Sequence, residues 1–206
     1  MRFEDLLERA HRLVETGERR VLGIGGAPGS GKSTLARRLV DALGPDAALV
    51  GMDGFHLAQC ELDRLGIADR KGAPDTFDVS GYADLLARLK ACGPDVVYAP
   101  EFRREIEEPV ACAVPVAPEV PLVVTEGNYL LTRLAQWERV RTVLDEAWFL
   151  LLDEDVRVAR LVDRHVRYGR SPEEARERAL HGSDHANAVL VNASYESADL
   201  VVEGVL

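Results

Sequence analysis

Gly26–Ser33 reads G-A-P-G-S-G-K-S and is followed by Thr34. It fits G-x-x-x-x-G-K-[ST] at every position. The apolar run Val21–Ile24 before it has the length and composition of a short buried strand. After it, L-A-R-R-L-V-D-A-L (Leu35–Leu43) repeats apolar residues at helical spacing, with Gly44 where a helix C′ residue is expected. Glycines let the chain turn so that successive N–H groups converge on one anion nest. The helix start adds unpaired N–H groups and the positive end of its dipole. Lys32 is placed to reach the β- and γ-phosphates, and the Ser33 hydroxyl to bind Mg²⁺. Gly26, Ala27, Pro28, Gly29, Ser30, Gly31, Lys32, Ser33 and Thr34 are therefore the candidate triphosphate-binding residues. An incidental glycine-rich turn would need neither the lysine nor the serine.

The chain has 206 residues, enough for one domain with a sizeable core. Its 35 acidic residues outnumber 25 basic ones, a net charge of −10. That argues against an extended nucleic-acid-binding face, which needs a basic surface. Cys60, Cys92 and Cys112 are far apart and form no C-x-x-C, so neither a disulfide framework nor a zinc site is expected. The stretch Met1–Val14 is too acidic and interrupted for a signal peptide, and no apolar run is long enough to span a bilayer. The expectation is a cytoplasmic protein with no membrane or nucleic-acid partner.

Outward from the loop, strands and helices alternate. Phe3, Leu6, Leu7, Ala10, Leu13 and Val14 share one helical face. Further strands are expected at Ala47–Met52, Asp95–Tyr98, Val120–Thr125, Ala147–Leu152 and Ala198–Val202, and helices at Tyr82–Ala91 and Arg157–Tyr168. Ser171-Pro172-Glu173-Glu174 carries a capping box with Pro at N1. This alternation predicts an α/β fold with a parallel sheet covered on both faces by helices.

Ligands of such sheets bind beyond the carboxyl ends of the strands, where this reading places Asp53, Glu126 and Asp153. Phosphoryl transfer needs one carboxylate to take the proton of the attacking hydroxyl and another to hold Mg²⁺ or position the nucleophile. Asp53, in M-D-G-F-H, is the candidate base, although Asp-Gly also suits a plain turn. Glu126, in T-E-G-N-Y, is the candidate for the second task. Asp153 is read as the cap of the following helix rather than as a metal ligand. His56 is placed either to contact substrate or to serve structure. Arg160, Arg164 and Arg167 make a stripe at spacings of four and three, suited to closing over transferring phosphate.

Taken together, the loop, M-D-G-F-H, T-E-G-N-Y-L-L and R-V-A-R-L-V-D-R-H-V-R-Y-G-R (Arg157–Arg170) resemble the superfamily of uridine kinases, phosphoribulokinases and bacterial pantothenate kinases. The small bacterial group labelled fructose-transport-system kinase is the most similar branch. The resemblance spans roughly residues 20–202. It implies a three-layer α/β/α sandwich with a mainly parallel five-stranded sheet, a substrate-binding region around 54–115 and a helical lid around 157–185. It implies ATP and Mg²⁺ as cofactors and a small alcohol as acceptor, with Asp53, Lys32 and Arg164 catalytic. Arg160 and Arg170 would join the loop on ATP, and His56, Asp75, Phe77, Arg104 and Glu126 would face the substrate. Ser33 and Glu126 would hold the metal. Two positions depart from the pattern: Arg103 precedes Arg104 where relatives carry Asp-Arg, and His165 stands where uridine kinases have Asp. A homodimer is the expectation for assembly.

The function so implied is transfer of the γ-phosphoryl of ATP to a sugar, nucleoside or pantothenate-like alcohol. The alternative is a nucleotide-dependent switch or a P-loop ATPase without such an acceptor. N-K-x-D, needed for guanine recognition, is absent; F-L-L-L-D-E (Phe149–Glu154) imitates a Walker B strand.

Overall fold

A computed structural model describes residues 1–204. Helices are α1 (Phe3–Val14), α2 (Lys32–Leu43), α3 (Gln59–Leu65), α4 (Val79–Lys90), α5 (Glu138–Val143), α6 (Glu154–Arg167), α7 (Pro172–Leu180) and α8 (Ser183–Asn192). Strands are β1 (Arg20–Gly26), β2 (Ala47–Leu49), β3 (Val97–Arg103), β4 (Glu108–Val116), β5 (Leu122–Gly127), β6 (Glu146–Leu151) and β7 (Leu200–Glu203). Five of them form one parallel sheet in the order β2-β5-β1-β6-β7.

Alternation along the strands splits the core between two layers. Val21, Val123 and Phe149 face one way, with Tyr82, Leu86, Val140 and Val191 of α4, α5 and α8. Leu22, Ile24, Val124, Trp148 and Leu150 face the other, with Leu6, Ala10, Leu35 and Leu39 of α1 and α2. Each such side chain contributes on the order of 1.5–3 kcal/mol through removal from water. Burial on both faces explains why the central strands read as unbroken apolar runs.

The strand expected at Asp95–Tyr98 is not part of this sheet. It begins at Val97 and pairs antiparallel with β4, and the register shifts between Ala99 and Glu101. The two strands stand apart as a hairpin arm. Pro100, Pro109 and Pro115 lie within it, and proline removes ladder donors, so an exposed two-stranded arm suits these residues better than a central strand. Asp153 caps α6, accepting from the N–H groups of Asp155 and Val156. Ser171 and Glu174 close the capping box of α7. Among the described residues no helix is long and apolar enough to cross a membrane.

Asp145 staples the base of the sheet. Its carboxylate accepts from the Val21 N–H at 2.8 Å and pairs with Arg20 and Lys90, each at 3.0 Å. Burial pushes its pKa up, but the Val21 N–H and the two cations outweigh it and hold the group below the ordinary value of 3.8. A depressed folded pKa gives stability that is complete above the unfolded value and is lost as pH falls through the folded one. Asp145→Ala is expected to cost about 2 kcal/mol near neutral pH. Urea titrations of both proteins should show that gap closing as pH drops below 3.8.

Candidate active site

At the carboxyl end of β1 the chain turns through Gly26, Gly29 and Gly31, with φ of +156°, +85° and +96°. These values are costly for any residue with a Cβ. Gly29 is also crowded: a Cβ there would lie 2.8 Å from Leu161 Cγ and 3.0 Å from the Arg157 carbonyl oxygen. Helix α6 therefore sits directly on the loop. Arg157 fixes it there, its side chain buried, with Nη1 donating to the Pro28 carbonyl at 3.1 Å and Nε donating to Glu154 at 2.8 Å.

Beside the loop lies a cavity of about 630 Å³, walled by the loop, α2, the end of β5, the Asp53 turn, the hairpin arm and α6. Lys32, Ser33 and Glu126 meet on its floor. Ser33 Oγ donates to Glu126 Oε1 at 3.0 Å. Glu126 belongs to β5 itself, opposite Ile24 in the register with β1, so strand pairing sets its position. Gly127 follows because a Cβ there would lie 2.5 Å from Met52 Cβ. Burial pushes the Glu126 carboxyl up; Lys32 pulls it down, and the negative charge of Asp53 adds to the rise. Burial likewise lowers Lys32, against the attraction of Glu126 and Asp53.

Asp53 also lines the cavity, from a 3₁₀ turn over Met52–Phe55. Gly54 lets the hairpin cross closely: a Cβ would meet the Pro100 carbonyl oxygen at 2.5 Å. From the hairpin, Arg104 Nη2 donates to Asp53 Oδ2 at 3.3 Å. Arg160 and Arg164 of α6 line the same cavity. Burial lowers Arg164, and the nearby charge of Arg104 lowers it further.

Not every expected residue lines this cavity. His56 Nδ1 lies 2.8 Å from the Asp53 carbonyl oxygen, which can only accept, so the ring donates there. The ring packs on Phe77 and Phe102, and burial holds its pKa low. His56 thus braces the turn that carries Asp53. Phe77 is buried among His56, Tyr129 and Trp137. Asp75 pairs with Arg70 at the surface. Arg170 lies past the end of α6, beside Glu173 and Glu174 in a separate shallow depression. Arg103 does not line the cavity itself but pairs at 3.7 Å with Glu101, which does. His165 bonds Asp184 at 2.6 Å, tying α6 to α8. Sequence reading missed Arg157 as a latch and Phe102 as a wall. The burial of Arg157 had no signal among so many arginines, and Phe102 became placeable only once the hairpin was seen.

A family model described as phosphoribulokinase/uridine kinase matches residues 21–206. The chain belongs to that family. It is an ATP-using kinase of small molecules. A Schizosaccharomyces pombe protein named "Putative uridine kinase" is 32% identical over 98% of this chain and 90% of its own length. The crystal structure of a "putative fructose transport system kinase" from Silicibacter sp. TM1040 superimposes with a TM-score of 0.88 at 36% identity, covering 98% of this kinase and 99% of that chain. YFH7 from Saccharomyces cerevisiae shares the fold alone, with a TM-score of 0.84 at 18% identity over the full length of both chains. In this kinase Gly29→Ala should weaken nucleotide binding at least tenfold (~1.4 kcal/mol), because the new methyl group must displace α6 or the loop. Isothermal titration of an ATP analogue into both proteins measures it.

Proposed function

We propose that the cavity transfers the γ-phosphoryl of ATP to an alcohol group of a small metabolite, with Asp53 as general base. One observation carries this reading. The loop lysine and the Ser33–Glu126 pair share a single cavity with Asp53 and Arg164. The donor phosphates would lie in the loop against Lys32, Arg160 and Arg164. Ser30 Oγ, buried in that loop without a hydrogen-bond partner among the described residues, fits a phosphate oxygen.

In the reaction the acceptor O–H gives its proton to the Asp53 carboxylate as its oxygen bonds to Pγ. The bond from Pγ to the β–γ bridging oxygen breaks, and ADP leaves with those electrons. Arg160, Arg164 and Lys32 balance charge that spreads over the moving phosphoryl.

The residues fit Mg²⁺. Ser33 and Glu126 offer hard oxygen donors, and among the described residues no set of three or more His, Cys, Asp or Glu converges on a metal. Mg²⁺ needs only one or two protein oxygens, completing its shell with phosphates and water. When bound, it supplies charge neutralisation at the β- and γ-phosphates.

The acceptor lies between the phosphate loop and the hairpin. Relatives carry the names uridine kinase, fructose transport system kinase and pantothenate kinase, so the shared loop does not choose among them. An ADP-release screen over sugars, nucleosides and pantothenate, with mass detection of the product, tests the reading. ATP hydrolysis without a phosphorylated product overturns it. On the substrate so found, Asp53→Asn should lower kcat by 10²–10⁴-fold, whereas a kcat within a few-fold of wild type would remove Asp53 from the base role. Glu126→Gln should raise the Mg²⁺ concentration for half-maximal rate about tenfold, read from initial rates at fixed ATP.

A further inference from the structure

We propose that Tyr82 and Thr125 are positioning residues for Asp53: a buried hydroxyl relay from α4 through β5 holds the turn that presents the base to the cavity. The proposal deepens the phosphotransfer reading above and rests on it for the role of Asp53.

Three polar atoms meet in the core behind the site. Thr125 Oγ1 lies 2.5 Å from the Val50 carbonyl oxygen, and the Tyr82 hydroxyl lies 2.6 Å from Thr125 Oγ1. A carbonyl only accepts, so Thr125 donates to Val50 and its own oxygen accepts from Tyr82. Burial pushes the Tyr82 phenol well above its ordinary value, so the ring keeps the proton it donates. Tyr82, Thr125 and Val50 are all fully buried. Hydroxyls in an apolar layer are costly unless each is paired, and this order of donors pairs them all. Phe and Val would fill nearly the same space without that cost.

The relay ends where the Asp53 turn begins. Strand β2 is the edge of the sheet, and its register with β5 stops at Leu49 and Val124. Beyond it, the Val50 N–H donates to the Val124 carbonyl at 2.9 Å. The Thr125 hydroxyl adds a second tie to Val50, three residues before Asp53. Helix α4 also holds the other end of the turn. The Tyr82 and Phe55 ring centroids lie 4.9 Å apart, and the Asp78 N–H donates to the Phe55 carbonyl at 2.9 Å. Tyr82 therefore supports both ends of the segment that carries Asp53. Glu126 has separate support, because β5 pairs there with β1 and successive side chains of a strand take opposite faces.

Neither Tyr82 nor Thr125 lines the cavity, so both reach the reaction only through the turn. A shift of about 1 Å in a reacting group can cost roughly a hundredfold in rate. Thr125→Val leaves the Val50 carbonyl and the Tyr82 hydroxyl buried without partners. Tyr82→Phe leaves the Thr125–Val50 bond in place, so its effect should be smaller.

Hydrogen exchange on the free enzyme gives the first test. In Thr125→Val the amides of residues 51–57 should exchange at least tenfold faster, with those of the phosphate loop unchanged. Unchanged exchange in 51–57, or an equal rise in the loop, overturns the proposal. Initial rates with the sugar, nucleoside or pantothenate that the enzyme phosphorylates give the second. Thr125→Val should lower kcat at least tenfold and leave KM for ATP within threefold, and Thr125→Ser should recover most of the rate. In the Asp53→Asn enzyme the same Thr125→Val change should cost less than threefold, because the group it positions is already gone. An equal cost in both backgrounds overturns the proposal. Circular dichroism and thermal melts check folding; where Thr125→Val does not fold, Tyr82→Phe carries both comparisons, with a threefold loss of kcat expected. ATP hydrolysis without a phosphorylated product removes the kinase reading and the role of Asp53 together. A phosphorylated product formed at wild-type kcat by the variants removes the relay alone.

Discussion

The contact on which the site depends is that between Gly29 and helix α6. A loop that wraps phosphate must expose its backbone N–H groups inward, and positive φ at Gly29 and Gly31 achieves this. The missing Cβ at Gly29 has a second use, since Leu161 and the Arg157 carbonyl fill its place. Buried Arg157 then joins α6 to the Pro28 carbonyl, so helix and loop act as one unit. Arg160 and Arg164, one and two turns further on, are thereby aimed at the cavity. The same geometry explains why Arg170 is not: it lies beyond the helix end, past a turn at Gly169.

The wall that carries Asp53 is built by a different constraint, the close crossing of backbones at small residues. Gly54 lies under the Pro100 carbonyl, and Gly127 lies against Met52. These two approaches bring the Asp53 turn, the end of β5 and the hairpin arm to one place. His56 and its aromatic neighbours brace the turn from behind. The loop and the Asp53 turn are thus separately supported, the first by a helix on it and the second by a hairpin across it.

Much of this was legible beforehand, for identifiable reasons. The loop motif is local and its context is a strand and a helix in immediate succession. Strands β1, β5 and β6 are apolar runs because both sheet faces are covered. Caps at Asp153 and Ser171 depend on residues three or fewer apart. What escaped was long-range. The hairpin read as one more strand in the alternation, because the proline-marked irregularities say nothing of where the pair docks. His56, three residues after Asp53, does not line the cavity because a short turn can point side chains either way, and Asp75 and Phe77 lie in a later turn that does not reach it. Arg157 resembled its neighbours on a helix rich in arginine, and only packing showed it to be buried.

The sequence by itself determined the donor chemistry: eight residues with the spacing of a phosphate nest, a strand before them, a helix after them, and acids at strand ends. Those are short-range facts, held by hydrogen bonds and dihedral angles within a few residues. Tertiary structure alone decided which cations share the cavity with Asp53 and Glu126, and that Arg104, fifty-one residues from Asp53 in the chain, is its partner. That pairing follows from backbones crossing at Gly54, a contact between segments whose separation in sequence carries no periodicity to read.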